Sequence, residues 1–198
     1  MLHIQMKKQL VFFIILTLIF SIIANINIPY AASTGESVIE QNANTLVNLG
    51  IMKGYEDGTL RLDNKIKRSE FITLVVKMMG YDKDTNLENT KITFKDLKKN
   101  HWAYNNIGLA LKYELVAGYP DNTIGPDKDV TYAEALAVVI RALGYEKSLK
   151  GKWPDNVVNK GSELNLNKNL SLSANQPLTR GEMSVIIYNA LTVNFADI

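Results

Sequence analysis

Apolar positions recur along the chain with the spacing of a buried helix face, and they do so three times. Residues 71, 74, 75 and 78 follow the i, i+3, i+4, i+7 pattern, as do 135, 138, 139 and 142, and then 183, 186, 187 and 190. Leu136, Ile140 and Leu143 widen the second stripe, which favours a central position for that helix. Three copies of one stripe predict three helices that face one another.

A shorter helix is predicted before each of these three helices. The apolar spacing places the shorter helices within residues 38–49, 102–116 and roughly 157–166. Loops rich in Gly, Asp, Asn and Pro join the two helices of a pair, because these residues favour turns. The chain is therefore predicted to be all-α, with three helix-loop-helix repeats.

Helix ends are also marked in the sequence. Thr131 and Thr179 each precede a glutamate by three positions, which is the pattern of a capping box, whereas Lys67 stands at the corresponding position of the first copy. We assign the three glutamates to capping. Gly80 and Gly144 suit the left-handed residue that ends a helix. The glutamates are Glu70, Glu134 and Glu182.

The loops confirm the internal repetition. The sequence GYEDGTL at residues 54–60 returns as GYPDNTI at residues 118–124, 64 positions later. In the third copy we align Trp153 with Phe94, which predicts that this copy has lost its glycine-tyrosine-aspartate loop. The predicted repeats are residues 34–85, 86–148 and a short third repeat at 149–198, which together form one module.

Residues 1–33 have the layout of a secretory signal. Lys7 and Lys8 precede an apolar run, and small residues follow at positions 31–33. We expect export and cleavage near Ala32 or Ser33. An uncleaved membrane anchor is the alternative, because residues 10–28 nearly reach the roughly 20 residues that a spanning helix needs.

Composition excludes several functions for the exported chain. Removal of residues 1–33 takes away two lysines and no acids, which leaves 20 basic and 20 acidic side chains and no clustered basic surface for nucleic acid. The chain has no cysteine, and His101 is the one histidine after residue 33. Without a phosphate loop or a histidine pair at metal-ligand spacing, we expect no enzyme activity, no cofactor and no metal site.

Several motifs occur in the order known from one family. F-x-D at residues 94–96, H-W-A at 101–103, G-Y-P-D-N-T at 118–123 and T-x-x-E at 131–134 resemble the S-layer homology family of bacterial cell-surface modules. The resemblance implies a pseudo-threefold spindle around a central three-helix bundle. It also implies non-covalent binding of secondary cell-wall polysaccharide, typically through a pyruvylated amino sugar, in grooves between neighbouring repeats.

The resemblance further implies a location and a set of partners. It predicts a secreted protein at the cell wall or cell surface of a Gram-positive bacterium. Its partner would be a polysaccharide associated with peptidoglycan, and after signal cleavage it would have no membrane contact. An alternative is a surface scaffold that binds another cell-envelope protein, with glycan sites that have degenerated.

The chemistry of a pyruvate ketal selects candidate residues. Its carboxylate needs a fixed cation, preferably arginine, and the sugar ring needs an aromatic or apolar surface. Arg68 and Arg180 lie at helix starts, where backbone N–H groups also favour an anion. Trp102 is the candidate sugar platform, Asp96 a candidate acceptor for sugar hydroxyls, and Gly118 the candidate loop contact.

Each candidate also has a purely structural interpretation. The arginines are solvated surface residues in that interpretation, Trp102 packs between helices, and Asp96 caps a helix. Tyr132 replaces the expected arginine in the second repeat, which weakens that groove. Counting back from Asp96 and Trp102 leads to Ala32 and Val38, so the first repeat lacks both residues. The predicted complete site therefore combines Arg68 with Asp96 and Trp102.

Overall fold

Six α-helices in three consecutive pairs form the regular structure of residues 37–88 and 90–196, which a computed structural model of the protein describes. The predicted signal segment lies outside the described residues. Short 3₁₀ turns at Tyr81–Lys83 and Glu146–Ser148 follow the second and fourth helices. The all-α prediction is confirmed. The helices are α1 (Val38–Asn48), α2 (Arg68–Met78), α3 (Tyr104–Lys112), α4 (Tyr132–Ala142), α5 (Asp155–Glu163) and α6 (Arg180–Ala190).

The second helices of the three pairs form the centre of the core. Helices α2, α4 and α6 contact one another pairwise. Every residue of the three predicted apolar stripes is buried except Met78, which is partly buried. Leu136, Ile140 and Leu143 are buried as well, so α4 is enclosed on a wide face, as its sequence predicts. The burial of these apolar side chains is the main stabilising contribution, because the chain has no disulfides.

Backbone hydrogen bonds link the three repeats in a closed ring just before the central helices. The Ile66 N–H donates to the Leu178 carbonyl at 3.0 Å, the Leu178 N–H to the Val130 carbonyl at 2.9 Å, and the Val130 N–H to the Ile66 carbonyl at 3.1 Å. All three side chains are fully buried. Each repeat therefore contributes the same residue to the same contact, which fixes the starts of α2, α4 and α6 beside one another.

The predicted helix caps are present. The Thr131 and Thr179 hydroxyls accept from the backbone N–H three residues later, and the glutamate at that position accepts from the threonine N–H in return. The Lys67 side chain makes no capping hydrogen bond and instead donates to Asp129 at 2.8 Å. Gly80 has a φ of 71° in the left-handed region, as predicted for the residue that follows α2.

The third repeat differs from its prediction in register. Helices α3 and α5 each have nine residues, and they start and end 51 positions apart. The left-handed residues that follow them, Glu114 and Asn165, have the same separation. Trp153 therefore occupies the position of Trp102, and its alignment with Phe94 is wrong.

The loop of the third repeat is also retained rather than lost. Residues 164–179 join α5 to α6, as residues 113–131 join α3 to α4. What the third repeat lacks is a counterpart of the segment around Phe94 and Asp96. Leu166 and Leu178 of the retained loop are fully buried, so core packing keeps this segment in place without the glycine-tyrosine-aspartate sequence.

None of the helices within residues 37–88 and 90–196 is long and apolar enough to cross a bilayer. In the same part of the chain, no three His, Asp or Glu side chains are grouped as a metal site requires.

Candidate functional site

Arg68, the first residue of α2, holds the loop of the following repeat. Its side chain is only 7% exposed. Nε donates to the Ile124 carbonyl at 3.0 Å, and Nη2 donates to the Ala117 carbonyl at 3.2 Å. The guanidinium also lies over the Tyr119 ring, 5.1 Å from its centroid. One arginine of the first repeat therefore fixes both ends of the G-Y-P-D-N-T loop of the second.

Arg180 makes the equivalent contacts at the interface between the third repeat and the first. Its Nε donates to the Leu60 carbonyl at 2.9 Å and its Nη2 to the Lys53 carbonyl at 3.1 Å. Its guanidinium lies 4.9 Å from the centroid of Tyr55, which is the counterpart of Tyr119. The loop of the first repeat is thus fixed by the third repeat.

The two arginines differ at their third nitrogen. Nη1 of Arg180 donates to Oε1 of Glu70 at 3.2 Å, whereas Nη1 of Arg68 is 3.9 Å from Oε1 of Glu134, too far for a hydrogen bond. The Tyr119 hydroxyl donates to that same Glu134 oxygen at 2.6 Å. Among the described residues, Nη1 of Arg68 consequently has N–H groups without a hydrogen-bond acceptor.

The charges of Tyr119 and Glu134 are defined by their surroundings. Burial, together with the hydrogen bond to Glu134, raises the pKa of Tyr119 to about 12, so the phenol stays a donor at neutral pH. Burial acts to raise the pKa of Glu134, but the backbone N–H of Thr131, the Tyr119 hydroxyl and the charge of Arg68 outweigh it and lower the pKa overall. Glu134 is therefore ionised and held by its donors.

A cleft of about 290 Å³ opens beside Arg68. It collects side chains from all three repeats: Arg68 from the first, the loop and outer face of α4 from the second, and Trp153 from the third. Trp153 is 54% exposed, so its ring presents an aromatic surface to solvent at the edge of this cleft. We call it the Arg68 cleft. Its lining comprises Arg68, Ala117, Gly118, Tyr119, Glu134, Ala137, Val138, Arg141 and Trp153.

The predicted site residues are only partly brought together. Arg68 and Gly118 line the same cleft, but Asp96 and Trp102 do not. Both Asp96 carboxylate oxygens accept backbone N–H groups, from Ile124 at 2.9 Å and from Gly125 at 2.8 Å. Asp96 thus braces the loop whose carbonyl binds Arg68, instead of capping a helix or lining the cleft. Trp102 is 60% exposed and lies outside the cleft.

Gly118 is required by packing. A Cβ atom at this position would lie 2.1 Å from a ring carbon of Phe94 and 2.9 Å from the Thr123 carbonyl oxygen. The loop therefore runs against Phe94 at a distance that only glycine permits. This close approach explains the glycine of the motif without any contact to a ligand.

Three residues of the cleft were missed in the sequence. Trp153 was aligned with Phe94, whereas Tyr119 and Arg141 were not selected as candidates. The signal that identifies Trp153 is its 51-residue separation from Trp102, which matches the spacing of their helices. Tyr119 and Arg141 carry no comparable signal, because their roles depend on contacts between repeats.

The third interface has no arginine. Tyr132 stands at the position of Arg68 and Arg180, is 2% exposed, and has a pKa raised by burial, so it is neutral. The glutamate of that interface, Glu182, accepts instead from the Gln176 side chain at 3.3 Å. Tyr132 therefore supplies no positive charge for an anion at this interface, as the sequence predicts.

Comparison with known protein families identifies this architecture. The model of the S-layer homology domain matches residues 40–72 and 93–136, which include Arg68, the loop it holds and Glu134. The chain belongs to the S-layer homology family. The two matches fall in the first and second repeats. Outside the two matched segments, the third helix pair has the same capping box at its second helix and takes its place in the hydrogen-bond ring.

Curated relatives are cell-wall and cell-surface proteins. The chain is 37% identical over 159 residues, 80% of its length, to the Middle cell wall protein of Brevibacillus brevis. It is 33% identical over 196 residues, 96% of its length, to a Cell surface protein of Thermoanaerobacter kivui. A Cellulosome-anchoring protein of Acetivibrio thermocellus is 38% identical over 105 residues, 53% of the chain.

The chain corresponds to a small part of each relative. It spans 15%, 25% and 24% of the lengths of these three proteins, respectively. The S-layer homology match and these relatives locate the chain at the cell wall or cell surface, which confirms the predicted localisation.

Proposed function

We propose that this protein is a non-covalent cell-wall anchor that binds a secondary cell-wall polysaccharide in the Arg68 cleft, through a pyruvylated amino sugar. The observation that carries the proposal is the state of Arg68. Its guanidinium is immobilised by two backbone carbonyls, yet Nη1 has no hydrogen-bond acceptor among the described residues. A carboxylate in the cleft would supply one.

The surroundings of Arg68 favour a small anion attached to a sugar. A buried arginine binds a carboxylate strongly because its N–H groups are already oriented and shielded from water. Arg141 adds a second cation to the cleft, and Trp153 offers a face to a sugar ring. Glu134 lies nearby, but it is held by the Tyr119 hydroxyl and the Thr131 N–H. The cleft thus combines an excess of cations with one exposed aromatic ring.

The Arg180 interface is the weaker candidate. Nη1 of Arg180 already donates to Glu70, so an incoming carboxylate would have to compete with a protein carboxylate. The interface at Tyr132 lacks the arginine altogether. We therefore propose one principal site, at Arg68. The role is non-catalytic, in agreement with the names of the relatives, which describe wall, surface and anchoring proteins.

Sedimentation with purified Gram-positive cell walls tests the proposal. We expect the protein to pellet with intact walls and to stay in the supernatant once the secondary polysaccharide has been chemically removed. Trp153→Ala should weaken pelleting about tenfold, which corresponds to roughly 1.4 kcal/mol. Trp102→Ala is the matched control, because Trp102 has similar exposure outside the cleft. Equal binding to stripped walls would contradict the proposal and favour a scaffold that binds another envelope protein.

A further inference from the structure

A second cleft shares Arg141 with the Arg68 cleft. Its volume is about 550 Å³, within the range of about 300–1,000 Å³ that is usual for small-molecule sites. Arg141 lines both this cleft and the Arg68 cleft. Nε of Arg141 donates to Oε1 of Glu146 at 2.7 Å, and Glu146 belongs to the second cleft. The two clefts are therefore neighbours with one ion pair at their boundary. We call the second one the Tyr113 cleft.

The Tyr113 cleft contains two aromatic rings whose positions are fixed. Tyr113 stacks on Tyr81 with ring centroids 3.8 Å apart, and its hydroxyl donates to Asp84 at 2.7 Å. The Tyr145 hydroxyl donates to the Asn194 carbonyl at 3.1 Å. Rings that are already ordered lose little conformational entropy when a ligand packs against them. Such rings, with charged groups at their edges, suit a sugar, which has apolar faces and polar edges.

Glu114 adds an unusual backbone conformation to the same cleft. Its φ is 56°, in the left-handed region, where the first repeat has Gly50 and the third has Asn165. Glycine and asparagine accept this conformation readily, whereas glutamate is strained by it. Residues held in this conformation by the surrounding structure are more frequent at functional sites. Glu114 lines the Tyr113 cleft, as does the exposed Lys147.

We propose that the Tyr113 cleft is a second sugar subsite for the same polysaccharide chain. The charged terminal sugar occupies the Arg68 cleft, and the chain passes over Arg141 so that a following sugar packs against Tyr113 and Tyr145. Glu114 accepts hydrogen bonds from its hydroxyls, and Lys147 donates to its oxygens. This inference rests on the proposed function, because it assumes that the Arg68 cleft holds the first sugar.

Binding measured by calorimetry with two probes tests the second subsite. One probe is the methyl glycoside of a pyruvylated amino sugar, and the other is a three-sugar fragment of wall polysaccharide that ends in that sugar. We expect the unmodified protein to bind the fragment about tenfold more tightly than the monosaccharide. Glu114→Asn and Lys147→Ala should each lower the affinity for the fragment about three- to tenfold and leave the affinity for the monosaccharide unchanged.

Controls separate a local effect from unfolding. Lys99→Ala removes an exposed lysine outside both clefts and should change neither affinity. Glu114→Asn should leave the thermal unfolding midpoint unchanged or raise it, since asparagine tolerates the left-handed conformation. Equal affinity for both probes, or equal losses for both in the variants, would overturn the second subsite and leave the Arg68 site intact. Failure of both probes to bind the unmodified protein would overturn the proposed function and the second subsite together.

Discussion

Arg68 and Arg180 each donate to two backbone carbonyls at equivalent positions of the loops they hold, yet only Arg180 also hydrogen-bonds a glutamate. The Nη1 to Oε1 distance is 3.2 Å for Arg180 with Glu70 and 3.9 Å for Arg68 with Glu134. The phenol of Tyr119 accounts for the difference, because it donates to the Glu134 oxygen that would otherwise face the arginine. A single tyrosine hydroxyl thus leaves Nη1 of one of two equivalent arginines without a hydrogen-bond acceptor among the described residues.

Removal of this hydroxyl should weaken anion binding. In Tyr119→Phe, Glu134 loses a donor at 2.6 Å and becomes free to pair with Nη1 of Arg68, as Glu70 does with Arg180. We expect affinity for a pyruvylated amino sugar to fall about five- to tenfold, the equivalent of one charge-assisted hydrogen bond of roughly 1–1.5 kcal/mol. Calorimetric titration measures the change.

Tyr55→Phe is the control for this variant. The Tyr55 hydroxyl makes no hydrogen bond among the described residues, although its ring packs against Arg61 and Arg180 in the same way that Tyr119 packs against Arg68. We expect no change in affinity. A similar loss in both variants, or none in Tyr119→Phe, would show that the Tyr119 hydroxyl does not control the availability of Arg68.

Arg68 should also contribute to stability. Arg68→Lys keeps the charge but cannot bond the Ile124 and Ala117 carbonyls with the same geometry, since lysine has a single nitrogen. Unsatisfied buried acceptors cost about 1–3 kcal/mol, so the free energy of unfolding in urea should fall by about that amount. Arg141→Lys, at an exposed ion pair, should cost less than about 1 kcal/mol. Equal effects would contradict the structural role of Arg68.

Gly118 and Gly54 are equivalent in sequence but differ in the space around them. A Cβ at Gly118 would lie 2.1 Å from Phe94, whereas one at Gly54 would lie 3.2 Å from its nearest neighbour, the Thr59 carbonyl. Gly118→Ala should therefore lower the free energy of unfolding by about 1–3 kcal/mol, as overpacking does, and Gly54→Ala by clearly less. Thermal unfolding of the two variants measures the difference, and a larger loss at Gly54 would refute this packing argument.

Asp84 should make the free energy of unfolding depend on pH in the acid range. Hydrogen bonds from Lys112, the Asn86 N–H and the Tyr113 hydroxyl lower the pKa of Asp84 to about 2. Because the folded pKa lies below the unfolded value of about 4, the contribution of Asp84 is present above pH 4 and is lost as the pH falls toward 2. Urea unfolding at a series of pH values should show a smaller loss over this interval in Asp84→Asn than in the unmodified protein. Parallel pH profiles would contradict the prediction.

Much of the fold was predictable because it depends on local sequence patterns. The three apolar stripes, the capping boxes at Thr131 and Thr179, and the stop at Gly80 are each set by spacing within one helix, and the structure confirms them. The error in the third repeat arose because the sequence W-P-D resembles both the segment at Phe94 and the helix start at Trp102. The 51-residue separation of α3 and α5, which the left-handed residues Glu114 and Asn165 share, resolves this ambiguity.

The site was less predictable because it is assembled from three repeats. Sequence indicated Arg68 through its helix start, and Arg68 lines the cleft, whereas Tyr132 at the equivalent position is buried and supplies no cation. The sequence paired Arg68 with Trp102, whereas the structure places Trp153 beside Arg68, because the first residues of α5 pack near α4. Asp96 was expected to face a ligand, but its two oxygens accept hydrogen bonds from the backbone N–H groups of Ile124 and Gly125.

The two tryptophans provide the most direct test of the Arg68 cleft. The chain contains only Trp102 and Trp153, so a nitrogen-proton NMR spectrum shows two indole signals, which Trp102→Phe assigns. On titration with the methyl glycoside of a pyruvylated amino sugar, the Trp153 signal should shift at the lower ligand concentration, while Trp102 responds weakly or not at all. A shift of Trp102 alone, or no shift of either signal at saturating ligand, would contradict glycan binding in the Arg68 cleft.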